Sequence, residues 1–344
     1  MSFGTTCLVD PSRFPDTLDA GSRWGEGVLD LELPGGPYRF VGLEANQESL
    51  VRRVLGPRVI DDPGSVAVTT QVFRAEREEF LDFERVDWKI LIDVDYHPQG
   101  VSLAAHQWMG RLDWSDGFRG SLWTPVTEGS AFTDLFENFF RIAVAYRLLA
   151  EGGLLVHSAG VADDSGGYLF PGASGNGKST ISKISLAEGR AVLSDDGNAV
   201  FFADEPESGQ RRLWVQSLPF GGEMRDRVQP LAAVPLRRLA ALIKGTPNRL
   251  ETMGRAEASA LLLGCTPFVN GDPHRLWDLL STIEEVLGSV EGRRLTFTKT
   301  GGFWPLVRED RLDEDLEPPA ANPAVEAALG NSPPIANPEA QPTR

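Results

Sequence analysis

Gly172-Ala173-Ser174-Gly175-Asn176-Gly177-Lys178-Ser179 fits the pattern G-x-x-x-x-G-K-[ST] at every position, the spacing of a loop that holds phosphate. Glycines let successive backbone N–H groups curl around an anion without β-carbon clashes. A helix starting at the end of the loop adds its partial positive charge. Lys178 can bridge terminal phosphate oxygens, and the Ser179 hydroxyl can ligate Mg²⁺. Further on, an apolar run at 191–193 leads through Ser194 into Asp195-Asp196. Two carboxylates beside a phosphate site can divide the work, one touching the metal or its waters and the other accepting a proton from an attacking hydroxyl. Upstream, an apolar strand at 154–156 runs into His157, which on its own reads equally as a core histidine or a site histidine.

These residues need elements to carry them. Residues 168–171 read as a short strand after a turn at 163–167. Residues 179–188 suit a helix with Ile181, Ile184 and Leu186 or Ala187 inward and Gly189 as its stop. After that helix the chain is expected to return beside the first strand, bringing Asp195 and Asp196 near the loop. Residues 131–150 have the periodicity of an amphipathic helix, with Phe132, Leu135, Phe136, Phe139, Phe140, Ala143 and Tyr146 as a packing stripe, Ser130 as a cap and Gly152-Gly153 as the end. The first 130 residues read as strands at 38–43, 66–74, 89–94 and 117–123 and a short helix at 48–55 with Leu50, Val54 and Leu55 inward. His97 and His106 lie there without acidic or cysteine neighbours at ligand spacing, and the region carries no visible chemistry.

Composition narrows the partners. The 344 residues carry a net charge of −16, which repels nucleic acid and anionic membranes. A nucleotide site must then concentrate its own positive potential. Lysine occurs only at 89, 178, 183, 244 and 299, so Lys178 in the loop stands out. Cys7 and Cys265 have no metal-ligand spacing, no apolar run approaches the ~20 residues of a membrane span, and no signal peptide is visible. These features predict a soluble, cytoplasmic protein. From residue 311 the sequence is rich in Pro, Ala, Asn and Glu, with a loose repeat between 318–327 and 333–342, and is expected to be disordered.

Taken together, the strand ending in His157-Ser158-Ala159-Gly160, the glycine loop and Leu193-Ser194-Asp195-Asp196 resemble the catalytic domain of the HPr kinase/phosphorylase family. More narrowly, the chain resembles HPr-kinase-related serine kinases of bacterial biosynthetic clusters, some of which modify peptides. The resemblance covers residues 136–308 and extends to Pro219-Phe220-Gly221-Gly222-Glu223, to Val234-Pro235-Leu236, and to residues 294–299 followed by Phe303-Trp304. It implies an α/β fold (α+β overall), with a phosphoenolpyruvate-carboxykinase-like P-loop kinase core at 131–310. The mixed β-rich N-terminal region at 1–130 shows no match to the family's N-terminal domain and is read from its own residues as an accessory or partner-recognition region, beside the disordered tail at 311–344 expected from composition. The resemblance also implies ATP and Mg²⁺, a protein or peptide acceptor with a serine hydroxyl, and a homo-oligomer. By position, Gly172, Ser174, Gly175, Asn176, Gly177, Lys178, Ser179 and Thr180 would cradle the nucleotide, and Ser179 and Asp196 would hold the metal. Asp195 would accept the hydroxyl proton, with Asp196 also supporting substrate. His157 would orient or stabilise phosphate charge, Glu223 would be a further site residue, and Arg225 or Arg227 would face the transferring phosphoryl.

Two departures point away from HPr as acceptor and from phosphorylase activity. Thr180 stands where the bifunctional enzymes carry Glu, and their arginine-containing signature gives way to residues 217–223 of this chain. Two other readings accompany the kinase: a nucleotide-binding regulatory module without transfer, and a kinase of a small-molecule hydroxyl.

Overall fold

The computed structural model describes residues 21–77, 80, 92–224, 232–309, 315–316 and 323–330. Alternating apolar and polar residues in the first third form strands β1 (Gly27–Leu31), β2 (Tyr38–Leu43), β3 (Val59–Ile60), β4 (Val68–Arg74), β5 (Ile92–His97), β6 (Gly100–Ala105), β7 (Trp108–Asp113) and β8 (Phe118–Thr124). They make one mixed sheet in the order β3-β1-β2-β4-β8-β7-β6-β5, with β2, β4 and β8 parallel and the other neighbours antiparallel. The strand expected at 89–94 is observed from Ile92, and residues 81–91 lie outside the described chain. Helix α1 (Ala45–Leu55) starts three residues before the expected 48 because Glu44 and Gln47 form a reciprocal capping box. Leu50 and Leu55 are buried as expected and Val54 packs half-buried against the same core, with Val51 as a further buried residue of the helix.

Helix α2 (Gly129–Ala150) joins this sheet to the rest of the molecule. Its N-cap is Glu128, so Ser130, expected to cap it, lies inside the first turn. The aromatic stripe packs in two directions. Phe136 and Phe140 meet Phe40 of the first sheet with ring centroids 4.5 and 5.2 Å apart, and Phe139 stands edge-on to Trp108. Phe140 also contacts Phe220 of the second half edge-on, at 5.4 Å. One buried cluster therefore runs from Leu29 and Phe40 through α2 to Leu155 and Val200. Each large side chain in it contributes roughly 1.5–3 kcal/mol by leaving water.

The second sheet contains β9 (Leu154–Asp163), β10 (Gly166–Pro171), β11 (Ala191–Ser194), β12 (Gly197–Asp204), β13 (Arg211–Ser217), β14 (Val234–Lys244), β15 (Asn248–Thr252), β16 (Gly292–Phe297) and β17 (Asp315–Leu316). The order is β10-β9-β12-β13-β14-β16-β15-β17, with β11 also on β9 and β10 also on β14. Strands β10, β14 and β16 are mutually parallel. Helices α3 (Lys178–Ala187), α4 (Arg255–Cys265), α5 (Leu276–Ser289), α6 (Trp304–Glu309) and α7 (Pro323–Gly330) complete a mixed α/β chain of two large sheets. Among the described residues no helix is long and apolar enough to cross a membrane.

Three sequence expectations change here. Strand β9 does not end with His157-Ser158-Ala159-Gly160 but runs on to Asp163, which places His157 well inside the sheet. The strand carrying the acid pair returns beside β9, not β10, and runs antiparallel. The segment from 311 contains ordered pieces as well: β17 pairs with β15, and Val325 of α7 is buried with Ile181, Ile184 and Trp304 while Leu329 packs against the same cluster. Val325 and Leu329 are four apart, so even a helix of eight residues presents an apolar edge to α3.

Candidate active site

Strand β9 sets the geometry. Along one edge it pairs with β10, whose last residue Pro171 lies opposite Ser158. Along the other it pairs with β11 and β12, a run with a bulge at Leu193 and a break at Asp195 and Asp196. The main chain there still bonds, with Ser158 N donating to Asp196 O at 3.0 Å. The glycine loop and the acid pair thus flank the same two residues of β9, about 10 Å apart across two strand spacings.

The loop leaves β10 at Gly172, whose N–H donates to the His157 carbonyl at 3.4 Å. Ala173, Ser174, Gly175 and Asn176 are exposed, Gly177 and Lys178 are buried, and Ser179 and Thr180 are half-buried at the start of α3. Gly177 takes φ +102°, a left-handed conformation that suits glycine, and a β-carbon on it would come within 2.8 Å of the Phe297 ring. Lys178 Nζ donates to the carbonyls of Gly172 and Ala173 at 2.8 and 3.0 Å. Burial lowers its ammonium below the ordinary lysine value, with Asp196 pulling the other way. Cys265, at the end of α4, is also buried here, and burial raises its thiol against the opposing effects of Lys178 and the Gly172 backbone.

The two aspartates occupy different environments. Asp195 is 5% exposed, and its oxygens accept the backbone N–H groups of Glu223 and Met224, each at 3.2 Å. It holds the turn of Phe220, Gly221 and Gly222 in place. Asp196 instead meets the His157 imidazole, with Nε2 at 3.3 Å, and the Arg141 guanidinium, with Nη1 at 3.2 Å. Burial alone would raise the Asp196 carboxyl. The hydrogen bond from His157 and the charges of Arg141, His157 and Lys178 outweigh that and hold it below the usual carboxylate range. A cavity of about 130 Å³ opens on this group, lined by Arg141, His157 and Asp196 with Leu155, Phe220 and Phe268 among its apolar walls. Phe268 has φ +72° and ψ −52°, a strained conformation for a bulky residue.

The structure therefore brings together Lys178, His157, Asp195 and Asp196 from the sequence-derived set. Glu223 is peripheral: its side chain is largely exposed and pairs with Lys183 at 3.1 Å. Arg225 and Arg227 lie outside the described residues. Sequence reasoning missed Arg141, whose signal was a charge inside the aromatic stripe of α2. It also missed Lys244, whose Nζ donates to the Gly175 carbonyl at 2.6 Å. Among the described residues no cluster of three or more His, Cys, Asp or Glu is arranged to hold a metal ion.

No protein-family model matches the chain, and no curated protein matches it. A cation-bearing glycine loop on one edge of β9 and an ionised, histidine-bonded carboxylate on the other can hold an anion and activate a nucleophile next to it.

Proposed function

We propose that this chain is an ATP- and Mg²⁺-dependent kinase that transfers the γ-phosphoryl group to a hydroxyl, most plainly a serine of a protein or peptide. One observation carries the reading. His157 accepts the first N–H of the glycine loop through its carbonyl and contacts Asp196 through its imidazole, so one residue links the phosphate loop to the carboxylate. Pure nucleotide binding gives no reason for that link.

The nucleotide fits the groups present. The loop amides and the start of α3 suit phosphate oxygens, and Lys178 is held inside the loop. Mg²⁺ normally takes one or two carboxylates plus substrate phosphates instead of an all-protein cage. Ser179 with one aspartate beside the loop suits that habit and needs no preformed metal cluster. ATP with Mg²⁺ would supply the phosphoryl group and neutralise its oxygens.

For this chain's own groups, we move the proton-accepting role carried over by resemblance from Asp195 to Asp196. Asp196 faces the cavity and is ionised at neutral pH, so it would accept or orient the hydroxyl proton. His157 would hold that carboxylate in place and Arg141 would fix its outer oxygen. Asp195, committed to two backbone amides, would shape the Gly221-Gly222 turn that closes the site. An HPr-kinase-like, phosphoenolpyruvate-carboxykinase-like core belongs to the same proposal, supported by the order of strand, loop, helix and acid pair. A nucleotide sensor without transfer is the second reading, favoured by Thr180 after the loop serine and by the peripheral place of Glu223.

The test is turnover of γ-labelled ATP with Mg²⁺ and serine-containing peptide libraries, followed by mass spectrometry. Asp196→Asn should retain ATP binding and lose transfer by roughly 10²–10⁴-fold, the usual worth of a proton acceptor. Tight ATP binding with no labelled acceptor would favour the sensor. Wild-type protein that binds no ATP would overturn both readings.

A further inference from the structure

The carboxyl ends of three parallel strands, β10, β14 and β16, converge beside the glycine loop, the usual place for ligands in such sheets. Strand β10 feeds the loop itself, β14 ends at Lys244 and β16 ends at Phe297. Leu242, two residues before Lys244 and so on the same face of β14, is buried in the cluster of Ile181 and Phe297 under α3. That alternation turns Lys244 toward the loop, where its Nζ donates to the Gly175 carbonyl at 2.6 Å. The Lys244 stem also passes the loop closely, since a β-carbon on Gly177 would lie 3.5 Å from Lys244 Cε. Lys244 itself is exposed.

An ammonium carries three donors, and the Gly175 carbonyl takes one. A carbonyl is a weaker partner than a phosphate oxygen, because the carbonyl offers the ammonium only a partial charge whereas the phosphate oxygen adds the attraction of a full one. The distribution of lysines adds weight. In a chain of charge −16, four of the five lysines (178, 183, 244 and 299) fall in the loop, on its helix, or at the ends of β14 and β16. Lysine, unlike arginine, is concentrated at this one edge of the sheet.

We propose that Lys244 is a second phosphate-binding cation of the site, exchanging the Gly175 carbonyl for an oxygen of a polyphosphate chain. This rests on the reading of the loop as a nucleoside triphosphate site and deepens it: Lys178 grips from inside the loop and Lys244 from the neighbouring strand. The ligand class is a tri- or diphosphate, not a monophosphate, because a chain of phosphates is needed to touch both lysines.

Calorimetric titration of the full chain with ATP, inorganic triphosphate and AMP tests this. Lys244→Gln should weaken ATP and inorganic triphosphate alike by roughly tenfold, the worth of one charge-assisted hydrogen bond, and leave AMP within about twofold. Lys244→Arg keeps the charge and should recover most of the loss. Unchanged ATP and triphosphate binding in Lys244→Gln would overturn the proposal. So would an equal loss for AMP together with a lowered melting temperature, which would make Lys244 a brace for the loop. Wild-type protein that binds neither ATP nor triphosphate would instead overturn the phosphate-loop reading, and this proposal with it.

Discussion

Gly222 lies directly against the Asp195 carboxylate, so that a β-carbon on the glycine would overlap Oδ1. Its φ of +92° is left-handed, and the next two amides both donate to Asp195. Gly222→Ala would therefore meet conformational strain and displace a buried carboxylate from its donors. The expected cost is about 2–4 kcal/mol of unfolding free energy, from left-handed strain and weakened charged hydrogen bonds. Urea unfolding measures it, and ATP affinity should stay within a few-fold because the glycine loop is built on other strands. A variant as stable as the wild type would refute the close approach.

The unequal aspartates give a sharper comparison. Asp195→Asn keeps the shape but weakens the grip on the Glu223 and Met224 amides, so stability should fall together with transfer. Asp196→Asn should abolish transfer with a smaller effect on melting temperature. Equal behaviour of the two variants in paired melting and turnover assays would remove the distinction drawn between them.

Arg141 offers a readout through its neighbour. It lies 3.2 Å from Asp196 and above the Phe220 ring, and it acts on the carboxylate without belonging to the loop. Arg141→Ala should lower kcat by roughly 10–100-fold, the scale seen when a supporting partner of a site ligand is lost. The acidic limb of the kcat–pH profile should move to higher pH, because one of the charges holding Asp196 down is gone. Arg141→Lys should restore part of both. A rate loss with no movement of that limb would make the arginine structural.

How far the sequence went depends on what was local. The shape of the glycine loop, α3 and the acid pair were legible because each is specified within a few residues: glycines for left-handed turns, apolar residues at helical spacing, and an apolar strand leading into Asp195. The strand partner of that acid pair was not legible. A run such as 191–194 suits a parallel or an antiparallel neighbour equally, and β9 was chosen over β10 by contacts distant in sequence. Arg141 was hidden in a helix read only for packing, and Lys244 had no motif around it. Within the tail, the helix at Pro323–Gly330 was missed because composition averages over 34 residues, whereas a buried edge needs only Val325 and Leu329 in register.

Acid should expose the Asp196 pair. Its carboxyl is held below the usual range in the folded chain, so the folded state binds this proton less readily than the unfolded state does. The resulting stabilisation is fully present above the unfolded carboxylate value of about 4. It is lost as pH falls through the lower folded value. The stability difference between wild type and Asp196→Asn, measured by urea unfolding from pH 7 to pH 2, should stay flat down to about pH 5 and then shrink. A difference that grows in acid would give the shift the opposite sign.

The helix at Pro323–Gly330 ties the end of the described chain to α3, the helix that follows the glycine loop. Val325 is 1% exposed in the cluster that includes Ile181 and Ile184 of α3, the helix that begins at Lys178. Val325→Ala removes two buried carbons and leaves a small cavity, a loss of roughly 2 kcal/mol. Ala327→Glu, on the exposed side of the same helix, should change stability by less than about 0.5 kcal/mol. If α7 supports α3, Val325→Ala should also weaken ATP binding at temperatures just below the melting transition, while Ala327→Glu should not. Identical unfolding curves for both variants and the wild type would mean that the helix does not cover α3 in solution.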